Sequence, residues 1–203
     1  MRGDLACLSL AGTVFAPHYV VPDPWKCSAA SASVHAEPKS GSIALSELLE
    51  GEPFQLMDRT GDWSWGQAAD GSCGFVQSYL LAPGEGTLVI GEVDDIASFA
   101  AALVGASYAE GGQGGAGWSG AGMSRRAALA DGIELPAFAD LQEKALPAAT
   151  GPARGVALYA GDIAAICVSE SDAVAALPDR GVVKVAIAEL SGDGDASYRN
   201  IAP

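Results

Sequence analysis

The tetrapeptide Pro83-Gly84-Glu85-Gly86 separates two stretches whose apolar residues follow different periods, and that change of period constrains the fold most. Proline fixes φ and lacks a backbone donor, and glycine costs backbone entropy, so this segment reads as a linker. Before it, Pro17, Pro22, Pro24, Pro38, Gly41, Gly51, Gly61 and Gly71 punctuate short runs. Strand-like segments lie between them at Pro53–Asp58, Asp62–Ala69 and Cys73–Val76. Asp70-Gly71 between two such runs predicts a hairpin, because Gly tolerates the positive φ of a tight turn. Residues 1–82 therefore read as a small all-β barrel.

Beyond the linker the apolar spacing becomes helical. Asp94 or Asp95 can cap a helix through Ile96, Phe99, Ala100, Leu103 and Val104. A glycine-rich loop from Gly105 to Gly117 follows, then a helix over Ser119–Ala130 closed by Asp131-Gly132, and a shorter one over Pro136–Leu146. From Gly155 the period turns strand-like at Val156–Tyr159, Ile163–Val168 and Val182–Leu190, with a polar, irregular tail after Ser191. Helices first and strands afterwards predict an α+β domain over residues 83–203 with an antiparallel sheet.

Hydrophobic residues make up 49% of the 203, charged ones 18% and aromatics 7%. The chain can bury a core, built mostly from alanine and other small side chains. A formal charge of −14 repels phosphate backbones and anionic lipid heads, which argues against nucleic-acid binding. No run reaches the roughly 18 apolar residues of a membrane helix. Leu5–Ala16 weakly imitates a signal peptide behind Arg2, but Asp4 interrupts the basic end and Gly12–Val21 reads as strand and turn. Taken as a first strand, the segment points to a cytoplasmic chain. Cys7, Cys27, Cys73 and Cys167 form no CxxC pair, so neither a zinc site nor any other metal or cofactor is expected. A disulfide among them stays open at this level.

The run Leu48-Leu49-Glu50-Gly51-Glu52-Pro53-Phe54, then Gly61-Asp62-Trp63-Ser64-Trp65-Gly66-Gln67, then Asp70-Gly71-Ser72-Cys73-Gly74-Phe75-Val76 resembles a bacterial SH3-type domain. It is similar to the version found ahead of NlpC-type peptidoglycan endopeptidases, which are papain-like cysteine peptidases. The second half extends the resemblance. Ala106-Ser107-Tyr108 with Gly111-Gly112 is similar to that family's PYxWGG loop. Gly117-Trp118-Ser119-Gly120-Ala121 falls where the family has DCSGL. Gly132-Ile133-Glu134-Leu135-Pro136 and Gln142 resemble the segment after the nucleophile helix. Arg154-Gly155 with Val156–Tyr159 resembles the first sheet strand, and Gly161-Asp162-Ile163 falls where the family has GHV.

The resemblance implies a thiolate at a helix N-terminus, a histidine on the facing strand and a third polar residue to orient it. Here those positions hold Trp118 and Asp162, and residues 163–190 contain no histidine, asparagine or glutamine. An indole is no nucleophile, and a carboxylate cannot shuttle protons near neutrality at its ordinary pKa. Both histidines, His18 and His35, lie in the first half, and Cys167 falls on a strand, where a buried core thiol is expected. Ser119 invites a serine-nucleophile mechanism with Asp162 as base, but it more simply caps a helix.

These residues therefore predict a non-catalytic homologue that binds or scaffolds. Tyr108, Trp118, Ser119 and Asp162 are the candidate ligand-binding residues, for a cell-wall peptide or a protein. Trp63 and Trp65, two apart on one strand, share a sheet face and are candidates for an interaction surface, unless that face is core. A non-cysteine hydrolase of γ-D-glutamyl peptides is the alternative. Arg125-Arg126 reads as a solvated helix face, Gly111–Gly117 lacks the Lys-Ser/Thr ending of a phosphate loop, and Asp193-Gly194-Asp195 is too short for a calcium loop.

Overall fold

The computed structural model describes residues 3–91, 93–191 and 196–201, so the Arg2 and Asp193-Gly194-Asp195 readings lie outside the described residues. The chain divides into two compact units, Met1–Val89 and Ile90–Pro203. The first unit opens with a short parallel pair, β1 (Leu5–Cys7) and β2 (His18–Val20), joined by a 3-10 turn at Leu8–Leu10. The expected first strand thus covers only the start of Leu5–Ala16.

The rest of the unit is a seven-stranded sheet of β3 (Asp23–Cys27), β4 (Ser31–His35), β5 (Ala44–Leu49), β6 (Pro53–Thr60), β7 (Trp63–Ala68), β8 (Cys73–Gln77) and β9 (Leu81–Pro83). Its order is β5-β4-β8-β7-β6-β3-β9. Leu48 from one end of that order and Leu81 from the other share one core cluster with Val34, Phe54 and Val76. The sheet therefore curls until its ends meet across a common core, as in a small barrel. The Asp70-Gly71 turn joins β7 to β8, with Gly71 at φ +83°. Buried Asp70 accepts from the Ser46 hydroxyl and from the backbone N–H (3.0 Å) and hydroxyl (2.7 Å) of Ser72.

Pro83 does not end this unit. β9 pairs with β3, and the chain beyond it stays attached: Thr87 N–H donates to Gly51 O (2.9 Å) and Val89 N–H to buried Glu52 Oε1 (3.2 Å). The same Glu52 accepts from Leu49 N–H (3.0 Å), so one carboxylate ties the exit of the unit to the β5–β6 turn.

The second unit places α1 (Ile96–Ala102), α2 (Gly120–Ala130) and α3 (Ala139–Ala145) ahead of an antiparallel sheet. That sheet has β10 (Val156–Ala160), β11 (Ile163–Cys167), β12 (Asp172–Leu177), β13 (Gly181–Ala186) and β14 (Ser197–Asn200) in the order β13-β12-β11-β10-β14. Alternation is strict. Ala157, Tyr159, Ala164, Ile166 and Val174 face the cluster holding Met123, Ala127 and Ala128 of α2, and Leu158, Ala165, Cys167, Ala173 and Ala175 face the other way. Both faces are buried, which explains why these strands read as unbroken apolar runs.

Three expectations change here. The strand expected over Val182–Leu190 stops at Ala186, and Ile187–Ser191 is a helix, α4, that turns Ile187 and Leu190 into the second cluster. β12 was missing because its polar start, Ser169–Asp172, hides the apolar alternation that follows. The tail after Ser191 is not irregular over its described residues, 196–201. β14 pairs with β10 along Val156–Tyr159, Ala149 N–H donates to Tyr198 O (2.8 Å), and Ile201 is 1% exposed in the core. Ile201→Ala should therefore destabilise the second unit by about 2–5 kcal/mol, the usual cost of emptying a packed aliphatic site, as read by chemical denaturation.

Candidate functional site

The head of α2 is where a helix dipole and a facing strand converge, so it decides what chemistry this unit can carry. Ser119 is the N-cap: its backbone is extended and its Oγ accepts from Gly122 N–H (3.0 Å). The same hydroxyl donates to Gly112 O (3.0 Å). Both of its useful hydrogen-bonding directions are engaged in local structure, and neither is aimed at a base. Gly120 follows, and a Cβ there would run into the carbonyl oxygen of Ala164 on β11. Only glycine lets the helix end lie this close to the strand.

Trp118 sits immediately before the cap. Its N–H donates to Ser107 O (2.9 Å) and its carbonyl accepts from Ala109 N–H (3.1 Å), and it forms isolated bridges with Tyr108 and Gln113. The indole is half-buried. Its edge meets Phe99 of α1 at 5.8 Å between centroids and 79° between planes. Gly114, at φ +115°, also lies against it, and a Cβ there would be 2.9 Å from the ring. The structure thus brings Tyr108, Trp118 and Ser119 together. Tyr108 is half-buried beside them, and burial, with the Glu110 carboxylate adding to it, raises its phenol above the ordinary value.

Asp162 is two residues before Ala164, the strand residue that Gly120 meets. It lies exposed in the turn between β10 and β11 and takes no hydrogen-bond or ion-pair partner among the described residues. Cys167, at the far end of β11, is fully buried, and burial pushes its thiol up to about 11. Trp63 and Trp65 do share one face of β7, with Phe75 opposite Trp65, and neither belongs to the barrel core cluster. Trp63 packs edge-on against His35 at 5.5 Å, while Trp65 is only 6% exposed, so the pair is not an open aromatic surface.

The Arg125-Arg126 reading is overturned, because both side chains are buried. Arg125 Nε donates to Leu135 O (3.2 Å) and its NH1 to Gln113 Oε1 (2.7 Å). The sequence carried no signal of this, since a solvated arginine is satisfied by water and the residues four before and after each, Ala121, Leu129, Gly122 and Ala130, decide nothing. The role of Gln142 is likewise visible only in the folded chain. It is fully buried, its Nε2 donates to Ala121 O (2.9 Å) and Pro136 O (2.8 Å), and its Oε1 accepts from Tyr159 (3.2 Å), so it pins the first turn of α2 to β10. A separate pocket of about 310 Å3 at the start of α1 is lined by Asp94, Asp95, Asp131, Arg154 and Asn200, and contains none of the candidates from sequence.

Comparison with known proteins bears on the first unit most directly. Residues 34–79 match the family model of the bacterial dipeptidyl-peptidase SH3 domain. Residues 34–79 are a bacterial SH3-type domain. The match begins in β4 and ends just after β8, so the SH3-type domain takes in the Asp70-Gly71 hairpin and the Glu52 carboxylate. The search of curated proteins returned no match. Among solved structures, an NlpC/P60 family protein from Bacillus cereus is similar over 90% of this chain and 64% of its own length, at 14% identity and a TM-score of 0.45. NlpC1 from Trichomonas vaginalis is similar over 89% of this chain and 69% of its own, at 13% identity and 0.47. NlpC2 from the same organism gives 89% and 73%, at 12% identity and 0.44. This chain spans less than two thirds of the Bacillus cereus protein.

Thiol reactivity follows from the geometry. At pH 8 about one in a thousand Cys167 side chains would be thiolate, given a pKa of about 11. The Cys7 thiol is half-exposed and held below its usual value by the Ser9 hydroxyl at 3.1 Å. Brief iodoacetamide treatment of the native chain should label Cys7 first and Cys73, which is exposed, more slowly, leaving Cys27 and Cys167 unmodified by peptide mass mapping. Ser119→Ala should cost about 0.5–2 kcal/mol as a lost helix cap, read by thermal or chemical unfolding.

Proposed function

We propose that this chain is a non-catalytic homologue of NlpC-type peptidoglycan endopeptidases, acting as a binding or scaffolding protein. The observation that carries the reading is the head of α2, where the resemblance places a nucleophilic thiol. An indole occupies that position, in contact with Phe99 and close to Gly114. The rest of the site's chemistry agrees. The facing turn offers the exposed carboxylate of Asp162 in place of an imidazole, and the unit's single cysteine is buried on β11 with its thiol held protonated. The serine alternative loses its nucleophile, since the Ser119 hydroxyl is spent on Gly112 O and Gly122 N–H.

The same geometry favours a filled site over an open one. An indole is far larger than a thiol and buries readily. The partner is then a protein or a cell-wall peptide that meets another surface of the chain. Incubation with γ-D-glutamyl-diaminopimelate peptides, before and after thiol alkylation and followed by liquid chromatography and mass spectrometry, should leave the peptides intact. Cleavage that persists after alkylation would establish the non-cysteine hydrolase instead.

A further inference from the structure

We infer that Arg125 is the positioning residue that fixes the indole of Trp118 at the head of α2, acting through Gln113. The inference rests on the reading that this indole fills the site, and it names what holds the indole there.

The glycine-rich loop would be slack without anchors, since glycine gives up the most conformational freedom on ordering. It has two anchors. One is local: the N–H and Oγ of Ser119 both reach Gly112 O, at 2.9 and 3.0 Å. The other comes from the body of the helix, where Arg125 NH1 donates to Gln113 Oε1 at 2.7 Å. Gln113 is also a bridge partner of Trp118, and the next residue, Gly114, lies against the ring. Gly114 N–H then closes on Gly117 O at 2.8 Å, so the loop returns to Trp118 as a tight hairpin.

The contact between Arg125 and Gln113 is closed to water, with the two residues 2% and 3% exposed. A charge-assisted hydrogen bond between buried groups is among the stronger ones, and losing one partner leaves the other desolvated. The guanidinium also holds Leu135 O at 3.2 Å, on the segment that follows α2. One planar fork thus couples the loop before the helix to the segment after it. An ammonium lacks that fixed fork.

The test is fluorine NMR of the full chain labelled with 5-fluorotryptophan, with four lines expected from its four tryptophans. Trp118→Phe assigns the line of interest. Arg125→Met and Arg125→Lys should each shift or broaden the Trp118 line while the Trp25 and Trp63 lines hold. Amide exchange in residues 107–119 should quicken at least tenfold relative to β10–β12. Gln113→Ala, a milder change, should move the same line in the same direction. An unmoved Trp118 line in Gln113→Ala overturns the proposal, as does an Arg125→Met chain whose lines all change together. None of these outcomes depends on hydrolysis, so the peptide assay and this one fail separately.

Discussion

The second unit depends on one close approach, that of Gly120 to Ala164. A helix end can lie against a strand backbone only where the helix presents no side chain, and α2 presents Gly120 there, then Gly122 against Gly112 O. Ala127 and Ala128 continue the small-residue face onto the sheet. Everything placed at the head of the helix inherits its position from this contact. That includes the Ser119 cap, the bridge through Trp118 and the loop that returns to the indole. Larger residues would lift the helix away and dissolve the site with it, whatever stood at position 118.

Close packing by small residues provides area but little specificity, and buried polar groups supply the rest. Gln142 and Arg125 do for α2 what large apolar side chains do elsewhere. Each satisfies backbone carbonyl groups, Ala121 O and Pro136 O for the first and Leu135 O for the second. In the first unit Asp70 and Glu52 play the same part, knitting a turn and an exit segment to the sheet. An unpaired buried polar group costs more than a paired one contributes, so such groups select a single arrangement. With a core short of aromatic residues, this selection matters.

How far the sequence could be read follows from the same physics. The Asp70-Gly71 hairpin, the Asp95 and Ser119 caps, and the strands flanking Gly61 were legible because each rests on local chemistry. β4 and β5 were not, since Ser31–His35 has a single large apolar residue and the leucines of Ala44–Leu49 are Leu45, Leu48 and Leu49, a helical rather than an alternating spacing. β14 was hidden in a polar tail, because its stabilisation comes from β10 and from the segment around Ala149, contacts remote in sequence. At the candidate site, the identities of Trp118 and Asp162 were legible. Their surroundings were not, since only the folded chain places one against Gly114 and leaves the other in an open turn.

Cys167 shows why residue type alone decides little. The second unit retains a thiol on β11, on the strand that α2 abuts, yet that thiol is enclosed by Leu158, Ala173 and Val185 on the face away from the helix. Strand alternation puts Ala164 and Ile166 toward α2 and Cys167 away from it, so no rotation of the side chain could bring the sulfur to the helix end. Burial then raises its pKa, where a helix terminus and an imidazole would have lowered it. A nucleophile is made by position and field as much as by residue type. The head of α2 carries an indole and a capping hydroxyl, held by groups whose hydrogen bonds are committed to the fold.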